Sequence, residues 1–220
     1  MKQEFDQKEN WEVFFLGYLS MARLGCEEML KKESDYDIED LYISTIYNFK
    51  HVIEIFLKTM VVILEERKLI KQEENHDQLE IFKGFIKIII KNKKDIIKTI
   101  KEIKENDDFW NMIRTSAVGI DDYTNTVLEL IKKYQTMSFL KEKIEQDYSI
   151  EDGVNDVFRY PQNKMKIDLN YKNIIKKIEK KDLLELRLDI GEANMAFIKL
   201  LLIIKNYKFL KRLKNGGRKI

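Results

Sequence analysis

The sequence predicts an all-α protein. Helix-breaking residues are rare, with one proline and eight glycines in 220 residues. Lys, Glu, Ile and Leu, which favour long helices, are abundant, and apolar residues recur every three or four positions over long stretches. No Pro-, Gly- or Ser-rich linker interrupts the chain. We therefore predict one domain over residues 1–220, an antiparallel helical bundle that ends in a basic tail over residues 211–220.

Two helices are predicted in the first third of the chain. The first spans residues 4–32, where an apolar stripe runs from Trp11 to Cys26 at three- and four-residue spacing. After the turn-like segment ESDYD, Asp37 is expected to act as the N-cap of a helix that extends to about residue 67. Apolar residues cover most of the circumference of this second helix, so it should be the central and most buried one.

The rest of the chain is predicted to hold four more helical stretches. One covers residues 79–105, and Asn106, Asp107 and Asp108 offer an N-cap for the next, which should extend through residue 131. Residues 135–169 contain Gly153 and Pro161 and are expected to form a long connection. Helices over residues 171–180 and 183–210 then close the chain.

A narrow polar stripe is expected on the second helix. Asn48, His51, Glu54 and Lys58 follow one another at offsets of three, three and four residues, which places them on one helix face. Glu54 is positioned to accept a hydrogen bond from Lys58, and His51 to bond Glu54 or Asn48. Such a stripe fits a self-satisfied structural network, which we favour, but the same residues could also form a reactive site.

Three short segments resemble the HEPN family, the helical domains named for higher eukaryotes and prokaryotes nucleotide-binding. HVIEIFLK at residues 51–58 and NHDQLEIF at residues 75–82 are similar to the family's H-x-x-E-x-x-L-K helix and its H-D-x-L helix start. FRYPQNK at residues 158–164 is similar to the R-Y-P loop that precedes the last helices of many members. The segments occur in the family's order, and the resemblance implies a HEPN-like core over about residues 38–210 with extra terminal helices.

The resemblance also implies residue roles and partners. It assigns ligand binding to His51, Glu54 and Lys58 on the second helix and to Arg159 in the R-Y-P loop. It further implies a homodimer that works beside a nucleotidyltransferase-type protein or an RNA, in a prokaryotic defence or stress system such as a toxin–antitoxin pair.

The ribonuclease signature of the family's toxin branch, an arginine followed by four to six residues and then a histidine, is not found. Arg67 precedes His76 with eight residues between them. We therefore expect a non-catalytic binding or assembly module. If the protein is instead a divergent metal-independent ribonuclease or nucleotide-processing enzyme, His51 or His76 is the candidate base. A purely structural helical adaptor is the third interpretation.

Basic residues are concentrated towards the C-terminus, where no acid follows residue 192. We expect contacts with an anionic partner from five of these residues: Lys208, Lys211, Arg212, Lys214 and Arg218. Lysines also decorate the helix predicted over residues 79–105. A solvated helical surface is the alternative interpretation of both groups.

Several other classes of site are disfavoured by composition. Two histidines and one cysteine are too few for a usual zinc site, and no Gly-rich phosphate loop occurs, so we expect neither a metal nor a cofactor. Cys26 has no disulfide partner, and Glu27 and Glu28 beside it disfavour a reactive thiolate. No apolar run approaches the roughly 20 residues that a membrane span needs. A cytoplasmic protein without membrane insertion is predicted.

Overall fold

A computed structural model describes residues 7–31, 36–66, 78–101, 108–135 and 177–214 of the chain. These residues form six α-helices and no strand, which confirms the all-α prediction. The helices are α1 (Gln7–Lys31), α2 (Tyr36–Glu66), α3 (Gln78–Lys101), α4 (Asp108–Val118), α5 (Ile120–Gln135) and α6 (Lys180–Lys214).

The core is built around α2 and α6, which each bury apolar side chains along most of their described length. Phe56 of α2 stacks on Phe197 of α6, with the two ring centroids 4.1 Å apart. Phe15 of α1 lies against the same ring at a centroid distance of 5.9 Å. α1, α2 and α6 therefore meet at Phe197, and α6 shares the central position that the sequence predicted for α2 alone.

Close approach of α1 to its two neighbours depends on small side chains. A Cβ atom at Gly25 would collide with the hydroxyl of Thr45, so a larger residue would require the Thr45 side chain or the helices to shift. On the side facing α6, the Cys26 thiol donates a hydrogen bond to the Leu183 carbonyl oxygen over 3.4 Å. These contacts fix α1 between α2 and α6.

The helix predicted to run through residue 131 is two helices. α4 ends at Val118, and α5 begins at Ile120, with the Tyr123 backbone N–H donating to the Gly119 carbonyl oxygen at 3.0 Å. A Cβ atom at Gly119 would lie 2.9 Å from the Tyr123 ring, which fills the space beside the glycine. Val118, the last residue of α4, is 75% exposed. The prediction was wrong because the apolar pattern continues on both sides of a single glycine, which helices often tolerate.

Two other helix starts differ from the predictions. α2 begins at Tyr36, so Asp37 is inside the helix and not at the N-cap position that the sequence predicted. Residues 177–179, predicted to be helical, form a turn and an irregular segment before α6. Asp182 organises this start, because its Oδ2 accepts a hydrogen bond from the Glu179 backbone N–H at 2.7 Å. The rest of the helix predicted over residues 171–180, and the connection over residues 136–169, lie outside the described residues.

Candidate functional site

The polar stripe on α2 forms the network that its spacing predicts. Lys58 Nζ donates to Glu54 Oε1 at 2.6 Å, and His51 Nδ1 lies 3.2 Å from Glu54 Oε2. The side chains of His51, Glu54 and Lys58 are 17%, 22% and 39% exposed, so the network lies at the edge of the core and its lysine end reaches solvent. The predicted pair Glu54–Lys58 is confirmed, and His51 contacts Glu54, one of the two partners predicted for it.

Two tyrosines enclose the His51 imidazole. Tyr47, one turn earlier on α2, stacks on it with ring centroids 5.0 Å apart, and Tyr18 of α1 meets it edge-on at 4.9 Å. Tyr47 could have been found from its four-residue offset from His51, whereas Tyr18 comes from another helix and leaves no signal in the local sequence. The aromatic contacts and Glu54 hold the imidazole in one orientation.

The charge state of Glu54 follows from its contacts. Burial alone would raise its pKa, but the hydrogen bonds from His51 and Lys58 outweigh burial and lower the pKa to about 2. Glu54 is therefore a carboxylate at neutral pH, with one oxygen facing each partner. A general acid or base works best with a pKa near the operating pH, so Glu54 is poorly suited to proton transfer.

A second polar network joins α5 to α6. Lys133 Nζ donates to Asp189 Oδ2 at 2.5 Å and to Glu185 Oε1 at 2.6 Å, and the Tyr134 hydroxyl donates to Asp189 Oδ2 at 2.7 Å. Burial, reinforced by the charge of Asp189, raises the pKa of Tyr134 well above its ordinary value, so the phenol stays a donor. Sequence reasoning missed this network because its two halves are more than 50 residues apart and no motif connects them.

The remaining residues proposed from the sequence have side chains outside the described part of the structure. His76, Arg159 and Arg218 lie outside the described residues. α6 includes the positions of Lys208, Lys211, Arg212 and Lys214, but their side chains also fall outside the described part of the chain. Their assignment to a ligand or an anionic partner stays a prediction.

Other chemistry receives little support from the described residues. Burial raises the pKa of the Cys26 thiol to about 11, against the opposing effect of Arg187, so the thiol stays protonated at neutral pH. Within the described ranges no three His, Cys, Asp or Glu side chains converge on a point that could hold a metal ion. No described helix combines the length and the apolar character needed to cross a bilayer.

The most unusual surface of the described structure is apolar and lies on the outer sides of α1 and α6. We call it the outer apolar surface. It consists of exposed large side chains from the two helices: Val13, Phe14, Leu16, Met21 and Leu24 on α1, and Leu184, Leu188, Met195 and Ile198 on α6. A pocket of about 320 Å³ lies between the helices, lined by Leu16 and Ser20 on one side and by Arg187 and Gly191 on the other. The pocket places Leu16 of α1 beside Gly191 of α6, so the two helices adjoin at this point.

Comparison with protein-family models, curated proteins and solved structures gives no match to this chain. The resemblance to the HEPN family thus depends on the three sequence segments alone.

Proposed function

We propose that this protein is a non-catalytic helical assembly module that binds another protein chain through the outer apolar surface. The observation that carries the proposal is that α6 is apolar on two opposite faces. One face holds buried residues such as Leu186, Ile190 and Phe197, and the other exposes Leu188 and Met195. A helix with two apolar faces usually has a neighbour on each, and large exposed apolar patches commonly mark protein interfaces.

The exposed face of α6 has the periodicity of a helix-pairing seam. Leu184, Leu188, Gly191, Met195 and Ile198 follow at offsets of four, three, four and three residues. This 3.5-residue repeat is the one that keeps a stripe facing a partner helix. The large members are 44%, 66%, 54% and 40% exposed, and no atom lies within 4 Å of a Cβ built at Gly191. A second helix can therefore approach α6 closely at the middle of the seam.

The charges beside the seam support a second copy of the chain as the partner. Arg187 precedes Leu188, and Glu192 follows Gly191, so the two occupy the flanking positions of successive heptads, and both are exposed. In a parallel pair of α6 helices, Arg187 of each copy faces Glu192 of the other, since these flanking positions meet across a parallel seam. The pairing agrees with the homodimer that the HEPN resemblance implies. A nucleotidyltransferase-type protein is the competing occupant of this surface.

Light scattering coupled to size-exclusion chromatography tests the proposal. We expect the wild-type protein to be a dimer and the Leu188→Glu variant to be a folded monomer. Dimerisation of the variant would bury an unpaired carboxylate in the centre of the seam, which has a large free-energy cost. Val118→Glu is the matched control, since it places the same charge on an exposed apolar position of α4, outside the seam. It should remain dimeric. A wild-type monomer, or a dimer that survives Leu188→Glu, would refute self-association through α6.

The enzyme alternative makes a different prediction. In that case the wild-type protein would cleave labelled RNA without added metal, and His51→Ala would abolish cleavage while leaving the fold intact. We expect no cleavage, because the arginine–histidine spacing of the family's ribonuclease branch is not found in the sequence.

A further inference from the structure

The pocket of about 320 Å³ lies between two antiparallel helices, α1 and α6. The Cys26 thiol bonds the Leu183 carbonyl oxygen, and the Phe15 ring contacts the Phe197 ring, so residue numbers rise along α1 where they fall along α6. Positions near 23 on α1 are therefore level with positions near 187 on α6, and positions near 16 are level with positions near 195. This register separates the residues that line the pocket into a charged end and an apolar end.

The charged end of the pocket contains two arginines. Arg23 and Arg187 line the pocket from the two helices at about the same level. Glu27 lies at this end too, and its Oε1 is 3.6 Å from the Nε of Arg23. No acid occupies the positions three or four residues before or after Arg187 on α6. The charged residues that line the pocket, two arginines and one glutamate, therefore carry one positive charge in total.

The charge of Arg187 acts on the floor of the pocket. Cys26 lines the pocket and is fully buried. Burial raises the pKa of its thiol, and the positive charge of Arg187 opposes this effect. Because the interaction between two charges weakens with distance, the Arg187 guanidinium lies close to the pocket floor. A ligand in the pocket would meet the same charge.

The opposite end of the pocket is apolar. Leu16 and Leu19 of α1 and Ile190 of α6 line it, and the last two are buried. Leu16 precedes Arg23 by seven residues, which is about 10 Å along the helix axis. On the α6 side, no atom lies within 4 Å of a Cβ built at Gly191, so the pocket is open there. The volume is at the lower end of the range for small-molecule sites, which is about 300–1,000 Å³.

We propose that this pocket binds a fatty carboxylate, that is, a carboxylate on a short linear apolar chain. The carboxylate lies between Arg23 and Arg187, because a planar guanidinium matches the two oxygens of a carboxylate. The chain extends towards Leu16, where it leaves water. Ser20 and Asn194 supply further hydrogen-bonding groups along the pocket. The single excess positive charge of the lining residues matches a ligand with one negative charge.

This proposal goes beyond self-association and does not rest on it. The pocket is formed by α1 and α6 of one chain, although Arg187 also flanks the α6 seam. Arg23 and Ser20 lie on α1, away from that seam, so substitutions there test the pocket alone. A failure of the dimer proposal would appear in light scattering, whereas a failure of this one would appear in ligand binding.

Isothermal titration calorimetry with octanoate tests the proposal. We expect saturable binding of one octanoate per chain, and at least about tenfold weaker binding of both octan-1-ol, which lacks the charge, and acetate, which lacks the chain. Arg23→Gln and Arg187→Gln should each weaken octanoate binding about tenfold, since each removes a charge-assisted hydrogen bond. Ser20→Phe keeps both arginines but fills the pocket, so it should weaken binding as well.

The matched control is Arg114→Gln, which removes the same charge from α4, outside the pocket. It should bind octanoate as the wild-type protein does. Circular dichroism should show unchanged helix content in all four variants. Equal weakening by Arg114→Gln and Arg23→Gln would show an effect of net charge alone and overturn the proposal.

Four further outcomes would also overturn the proposal. The first two are the absence of saturable octanoate binding and binding of octan-1-ol as tight as that of octanoate. The third is tighter binding of octylamine than of octanoate, which would show that a ligand meets the Glu27 carboxylate and not the arginines. The fourth is unchanged octanoate binding by Ser20→Phe, which would place the ligand outside the pocket.

Discussion

Glu54→Gln should destabilise the fold at neutral pH, and the loss of stability should become smaller at low pH. Gln keeps the size of Glu54 but removes the charge that accepts from Lys58 and faces His51. The pKa of Glu54 is lowered on folding from 4.5 to about 2, so the ionised form stabilises the folded state. This stabilisation is fully present above about pH 4.5 and is lost as the pH falls through 2.

The magnitude follows from the fall in pKa. The pKa of Glu54 falls by about 2.5 on folding. At about 1.36 kcal/mol for a change of one in pKa, this corresponds to roughly 3.4 kcal/mol of folding stability at neutral pH. Lys58 is 39% exposed, so solvent screening reduces its share, and we expect a loss of about 1–3 kcal/mol at pH 7. At pH 3 less than half of the gain remains, because the unfolded carboxyl group is then protonated and the folded one is still largely ionised.

Urea denaturation of the wild-type protein and the variant at pH 7, 5, 4 and 3 measures this difference. Glu129→Gln is the matched control, because Glu129 pairs with Lys132 at 3.0 Å but is 71% exposed, and its effect should stay small at every pH. A constant difference between wild type and Glu54→Gln from pH 7 to pH 3 would show that the charge of Glu54 does not stabilise the fold.

Two other substitutions test buried polar groups by the same denaturation assay. Thr99→Val should stabilise the fold by about 1 kcal/mol, since the buried Thr99 hydroxyl is the one side-chain polar atom of the described core that lacks a hydrogen-bond partner. A loss of stability would indicate that the hydroxyl has a hydrogen-bond partner in the folded protein. Tyr134→Phe should cost about 1.5–3 kcal/mol, because it removes a hydrogen bond to the Asp189 carboxylate at 2.7 Å. A change below about 0.5 kcal/mol would mean that Lys133 alone satisfies Asp189.

The features that the sequence predicted correctly are those set by the geometry of a single helix. The 3.6-residue periodicity of apolar side chains was sufficient for the all-α class. Offsets of three and four residues were sufficient to pair Glu54 with Lys58 and to make Glu54 one of two candidate partners of His51. What the offsets could not supply is the surroundings of each stripe, because these depend on which helix packs against it.

The contacts that the sequence did not predict also depend on which helices pack together. Tyr18 meets His51 because α1 packs on α2, and Lys133 reaches Asp189 because α5 packs on α6. At the break, the Tyr123 ring occupies the space where a Cβ atom of residue 119 would lie. Leu188 illustrates the converse, since its apolar character suggests the core and the structure leaves it 66% exposed.

The two apolar faces of α6 also bear on how this protein behaves on dilution. If a second chain covers the outer face, the burial gained there belongs to the pair, and unfolding is coupled to dissociation. Mass action then makes the melting temperature rise with protein concentration, and the Leu188→Glu protein should melt at one temperature whatever its concentration. Under these conditions, a single value for the free energy of unfolding has meaning only at a stated concentration of chain.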